Sequence, residues 1–202
     1  MTDVLVTPGR FVRWVENFET RHGDTSLNVR DGALEGQATD GSTFRARLPF
    51  ETAYDGAAEP NVFAGSIAVP DRWGVLLVRK GGFAVARLAG EEIVEHKIGQ
   101  RHVQGRTKAG GQSQQRFARR RDNQARQAYE AAAEHAVRIL GGRSMPVVTG
   151  GDHTAVDEVL ADPRLSGLSP LTLWLPVPDP RRAVLDAAVA DALSVRVEVV
   201  NA

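Results

Sequence analysis

From Val62 to Val199 the hydrophobic pattern changes period in a fixed order, and that order leaves few folds open. Three short runs come first, Val62 to Val69, Gly74 to Arg79 and Phe83 to Leu88, punctuated by Pro70-Asp71 and Gly81-Gly82. Runs of this length between turn dipeptides predict three antiparallel strands, and Glu92 to Lys97 either extends the third or starts a fourth. The spacing then becomes helical. Between about Ser113 and Leu140, Phe117, Ala125, Ala128, Tyr129, Ala132, Ala136, Val137 and Leu140 fall on one face of a helix that extends roughly 40 Å at ~1.5 Å per residue. Gly141-Gly142 ends it. Met145 to Val148 reads as a buried strand and Thr154 to Leu160 as a short helix, with Thr154 and Asp157 at capping-box spacing. Leu171 to Leu175 is a further strand. Asp179-Pro180 caps a last helix carrying Val184, Leu185, Ala188, Val189 and Leu193, and Val195, Val197 and Val199 alternate as a closing strand or tail. Strands followed by helix, strand, helix, strand, helix predict an α/β domain built on a mixed sheet.

The chain before this is organised differently. Thr7 suits an N-cap, Pro8 the first helical position, and Phe11, Trp14, Val15 and Phe18 an i, i+3, i+4, i+7 face that Gly23 closes. Short alternating runs follow around Leu27 and Val29, Ala33 to Ala38, and Phe44 to Leu48. They are separated by Asp31-Gly32 and Asp40-Gly41, both favoured hairpin dipeptides. A helix on a three-stranded meander is expected. Pro49 to Pro60 has the composition of a linker, so the expected division is a small α+β segment over 1–58 and the α/β domain over 59–202.

Composition narrows the chemistry. The 202 residues are 42% hydrophobic, which suits one full domain and a small one. No cysteine is present, which removes disulfides, thiolate nucleophiles and cysteine-bound zinc together. His22, His96, His102, His135 and His153 are scattered without helical ligand spacing, so neither a metal nor another cofactor is expected. The N-terminus shows no basic segment leading into an apolar core, and no run is long enough to span a bilayer. A soluble cytoplasmic protein that makes no membrane contact is therefore expected. Basic and acidic residues balance at 25 each, but not locally. Lys97, Arg101, Arg106, Lys108, Arg116, Arg119, Arg120, Arg121 and Arg126 face only Asp122 between residues 97 and 126, a local net charge of about +8.

Within that basic stretch lies Gly110-Gly111-Gln112-Ser113, followed after two residues by Arg116-Phe117-Ala118-Arg119. A bare Gly-Gly-Gln carries little information, but these flanks are specific. Together they resemble the catalytic loop and following helix of the archaeal and eukaryotic class I translation release factors. They also resemble the related Vms-like release factors of ribosome quality control, which act as peptidyl-tRNA hydrolases. The element order from 61 to 195 is similar to the ribonuclease-H-like middle domain of those factors. The resemblance implies that Gln112 is catalytic, with Gly110 and Gly111 shaping its loop. Chemically this is coherent: an activated ester needs positioned water and a stabilised oxyanion more than a strong base. A glutamine backbone N–H can bond the oxyanion while its side-chain amide orients water, and glycines let the main chain approach an RNA end closely. Related quality-control enzymes often carry a serine before the glutamine; here the triplet is uninterrupted, and Gln114 and Gln115 add amides nearby.

The resemblance implies as partners the ribosomal large subunit at its peptidyl-transferase centre, the peptidyl-tRNA CCA end and ribosomal RNA, with a monomer when free. Lys108, Arg116, Arg119 and Arg120 would dock phosphates by charge, without base specificity. Residues 1–58 offer only a helix and a meander, not a second full-sized decoding domain, so codon-independent release from stalled ribosomes or large subunits is expected. Two rivals remain at this level: a tRNA CCA-end nuclease, and a noncatalytic ribosome-binding factor using the same basic face. Two other motifs are set aside. Thr149-Gly150-Gly151-Asp152-His153 lacks the Gly-Lys-Ser/Thr ending of a phosphate loop, and no Gly-x-Ser-x-Gly turn accompanies Asp152 and His153 as a triad would need. Trp14, Trp73 and Trp174 are assigned to the core.

Overall fold

The computed structural model describes residues 2–100 and 129–202. The chain divides into two compact units, one made of residues up to Pro70 together with Val189–Ala202, the other of Asp71–Ala188.

The first unit is a five-stranded antiparallel sheet with one face covered by helix. Its strands are β1 (Thr2–Val6), β2 (Thr25–Arg30), β3 (Ala33–Ala38), β4 (Thr43–Arg47) and β10 (Val195–Val200), in the order β1-β10-β4-β3-β2. Helix α1 (Pro8–His22) starts after Thr7, with Pro8 in its first turn, and stops at Gly23, whose φ of 93° few other residues adopt. Its buried stripe, Phe11, Val15 and Phe18, meets Leu34, Phe44, Ala46, Val195 and Val197 from the sheet. The Asp31-Gly32 hairpin has positive φ at both residues, 48° and 71°, the geometry whose twist matches that of paired strands. The meander is thus present as expected, and two strands join it. β10, expected as a closing strand or tail of the second domain, instead pairs with β1 and β4, placing Val197 between Val4 and Ala46. Burying the alternating valines of β10 against α1 gives this terminal segment its reason to sit here.

Val62 to Val69 does not form a strand. Residues Pro60–Gly65 form a short helix, α2, because Pro60 occupies its first turn and Phe63 turns inward to within 4.9 Å of both Phe11 and Tyr54. The segment 59–70 consequently belongs to the first unit, and the break falls after Pro70 instead of at 58.

The second unit is α/β with a mixed sheet. β5 (Trp73–Arg79), β6 (Gly82–Ala89) and β7 (Glu92–Gln100) form an antiparallel meander, so Glu92 to Lys97 belongs to a strand of its own. β8 (Met145–Gly151) runs parallel to β5, and β9 (Leu168–Leu175) parallel to β8, giving the order β7-β6-β5-β8-β9. Counted within the sheet this is 3-2-1-4-5, the ribonuclease-H-like arrangement. β5 is buried on both faces, as a central strand with parallel pairing should be. Leu76, Val78, Phe83, Val85 and Val147 pack against helix α3 (residues 129–140), which contributes Tyr129, Ala132, Ala136, Ile139 and Leu140, and against α4 (His153–Leu160). The residues N-terminal to 129 in the expected long helix lie outside the described residues. Asp152, not Thr154, occupies the N-cap of α4, so the expected capping box is not formed. Helix α5 (Arg182–Ala192) buries Leu185 and Ala188. Among the described residues no helix is long and apolar enough to cross a membrane.

Candidate functional site

All seven residues expected to act on the ester or on RNA, Lys108, Gly110, Gly111, Gln112, Arg116, Arg119 and Arg120, lie outside the described residues. The structure does show the frame from which that stretch of chain departs and to which it returns. Departure is from β7. Gln100 pairs with Gly82, which pairs with Arg79, and in the next row Gly99, Phe83, Val78 and Gly151 stand side by side across four strands. This row marks the carboxyl ends of the parallel strands β5 and β8, the edge at which open α/β sheets present their sites. Return is through Tyr129, the first described residue of α3, whose hydroxyl is held above its usual pKa by burial and by the charges of Asp152, which follows β8, and Glu158 of α4. Leu140 at the far end of α3 lies against Gly74 at the start of β5, and His135 stacks on Phe83 beside Val78 near its end, so α3 begins at the same end of the sheet at which β7 stops.

Close packing fixes that end. At Gly151, with φ of 105°, a Cβ would come within 2.3 Å of the Val78 carbonyl, and the Asp152 N–H donates to the same oxygen at 2.8 Å. Arg79 donates from Nη1 to the Val177 carbonyl at 3.0 Å and lies 3.7 Å from Asp179, tying the β5–β6 turn to the segment before α5. His153 stacks on Trp174 with ring centroids 3.5 Å apart and planes 12° from parallel. The Gly-Gly-Asp-His stretch is thus a strand end and a helix cap, as expected once a phosphate loop is set aside. Trp73 is wholly buried, while Trp14 and Trp174 pack as half-buried residues at the margins of their cores.

Two contacts join the flanking elements, one through Phe83 of β6 and one directly. Phe83 lies over Gly99, where a Cβ would approach its ring to 2.3 Å, and His135 of α3 stacks on Phe83 at 5.4 Å. Burial, reinforced by the positive charges of Lys97 and Arg138, holds the His135 imidazole below its usual pKa, which favours the neutral ring that stacks. Three residues on, Arg138 donates to Glu95 of β7, which also accepts from Arg87 of β6 at 3.4 Å. Desolvation opposes ionisation of Glu95, but the hydrogen bonds from Arg138 and Arg87 outweigh it and hold the carboxyl below its ordinary value. Sequence reasoning left out this set of side chains, since nothing in local spacing links residue 95 to residue 138. The one signal it offered was the glycine at 99, which falls opposite a phenylalanine only once the strands are in register. His96, set aside as a catalytic group, accepts from Arg182 of α5 at 3.3 Å if its Nε2 is unprotonated.

Residues 71–198 match the family described as Actinobacteria/chloroflexi VLRF1 release factor. The chain belongs to that family. The match begins one residue after the break between the two units and encloses the Gly-Gly-Gln stretch together with both of its flanks. Membership in the VLRF1 release factors gives the chain a release-factor-like role at the ribosome. Among solved structures the chain is similar to one described as the Vms1 mitochondrial localization core. The identity is 10%, covering 85% of this chain and 77% of that one, with a TM-score of 0.38. It is also similar to an archaeal translation termination factor, aRF1, at 11% identity, covering 95% of this chain and 66% of that one, with a TM-score of 0.36. No curated protein matches it in sequence.

Proposed function

We propose that the protein is a peptidyl-tRNA hydrolase that frees nascent chains from stalled ribosomes or large subunits, without reading a codon. One observation carries this: a release-factor family match that spans residues 71–198 and contains Gly110-Gly111-Gln112 with the basic run after it. In this reading Gln112 positions the attacking water and stabilises the oxyanion of the tetrahedral intermediate, Gly110 and Gly111 allow the close approach, and no cofactor is needed. Lys108, Arg116, Arg119 and Arg120 dock phosphates of ribosomal RNA or the acceptor stem in the cytoplasm. The protein acts as a monomer when free. A CCA-end nuclease would call for a general base or metal carboxylates beside the loop, which the run 107–121 does not contain, so ester hydrolysis is favoured.

The deciding experiment incubates the protein with purified stalled ribosome–nascent chain complexes and resolves peptide, peptidyl-tRNA and tRNA. Free peptide with intact CCA-ended tRNA is expected; shortened tRNA would make it a nuclease, and binding without turnover a noncatalytic factor. The same complexes carrying a stop codon, a sense codon or no codon in the decoding site should release at equal rates. A strong preference for stop codons would remove the codon-independent reading.

Neutralising Arg116, Arg119 and Arg120 together should weaken binding to large subunits and flatten its dependence on salt. Each lost phosphate contact removes roughly 0.7–0.9 from the log–log slope, so the triple variant should lose about two to three units. An unaltered slope across a potassium chloride titration would mean that these arginines are merely solvated.

A further inference from the structure

The three-way contact among Glu95, Arg87 and Arg138 is poorly explained by stability. Arg138 and Glu95 are substantially exposed, so their attraction is screened, and the Arg87 Nε is buried with no hydrogen-bond partner among the described residues, which opposes folding. The backbone has also departed from regular pairing there. Arg87 faces Glu95 while Leu88 faces Ile93, which leaves Val94 as an extra residue in β7, 52% exposed. Such bulges re-aim side chains and recur beside functional sites. Here the bulge falls immediately beside Glu95, the carboxylate that Arg138 of α3 grips. Arg138 is one turn from His135, and Glu95, Lys97 and Gly99 share a face of β7, so the ion pair ties α3 to β7 directly and the His135–Phe83–Gly99 stack ties them again through Phe83 of β6.

We infer that Arg138, through Glu95, is a positioning residue: it fixes α3 against β7 and so sets the spacing of Gln100 and Tyr129, the two ends between which the Gly-Gly-Gln stretch runs. The inference rests on the release activity proposed above. It adds that the rate of that reaction depends on a side chain far along the chain from Gln112 that touches neither the ester nor RNA. A small misplacement transmitted to a reacting group costs rate out of proportion to its cost in stability.

The test uses the full chain and four variants, Arg138→Ala, Arg138→Lys, Glu95→Gln and Gln112→Ala, in three measurements: single-turnover peptide release from stalled complexes, affinity for large subunits, and Tm. Arg138→Ala and Glu95→Gln should release about tenfold more slowly with affinity and Tm nearly those of the wild type. Arg138→Lys, which keeps the charge, should recover most of the rate. Wild-type rates in Arg138→Ala would overturn the positioning role and leave the hydrolase standing. A slowed rate accompanied by a matching fall in Tm or affinity would overturn it too, by making the contact one of folding or docking. If the wild type itself releases no more peptide than Gln112→Ala does, the proposed function fails first and the inference falls with it.

Discussion

Replacing Gln112 by alanine should cut peptide release by about 10²–10³-fold, the usual cost of losing one group that stabilises an oxyanion or holds its water. Ribosome affinity should barely change, because the proposed function assigns docking to Lys108, Arg116, Arg119 and Arg120. The fold should also be indifferent: the second core is built from residues on either side of the stretch. Gly111→Ala should do comparable damage if the loop needs positive φ at that position, since a Cβ there is strained whatever space surrounds it. Release and binding are measured on the same stalled complexes. Release retained by both variants would end the assignment of the glutamine loop, and activity would then have to be sought among Gln114 and Gln115.

A second large effect is expected in the other unit. Val197 is wholly buried in β10, flanked by Val4 on β1 and Ala46 on β4, and faces the α1 side of the sheet. Val197→Asp would place a carboxylate among the apolar side chains of the first core, a change that costs about 4–5 kcal/mol or more. A unit of this size holds only about 5–10 kcal/mol in all, so the first unit should lose its structure at room temperature. The second unit has its own core and should keep its structure. Amide spectra assigned to the two units distinguish this from general unfolding, and Val197→Thr, nearly the same shape, provides a milder companion that should lower only the first transition. A first unit still folded in Val197→Asp would mean that β10 is not integral to it.

Which features could be read from sequence follows from how local their causes are. α1 was legible because its cap, its proline and its apolar period all lie within residues 7–23, and the Asp31-Gly32 hairpin because the turn dipeptide itself demands positive φ. The Gly-Gly-Gln stretch with its arginines is likewise a contiguous signature, and the family match covers it. β1 was missed because it is an edge strand with only Val6 buried, and its partner lies at the far end of the chain. Residues 62–69 were misread because apolar content alone does not separate a short helix from a strand; the proline at 60 and the inward Phe63 decide it. The ties from α3 to β7 depend on the register of β6 and β7 and on a bulge at Val94, neither of which has a local spelling.

The place of β10 bears on the order in which the protein can assemble during its own synthesis. A central strand of the first sheet is encoded after the whole of Asp71–Ala188, so β4 has no partner on one side, and β1 none at all, while the second unit is being made. The usual vectorial rule, in which the amino-terminal part of a chain folds first, is thereby inverted. The second unit can collapse as soon as β9 emerges, whereas α1 and its meander must wait with Phe11, Phe44 and Phe63 incompletely covered. Closure of the first sheet thus reports that synthesis has passed β10: a product cut short before Val195 would contain the Gly-Gly-Gln stretch but could never complete that sheet.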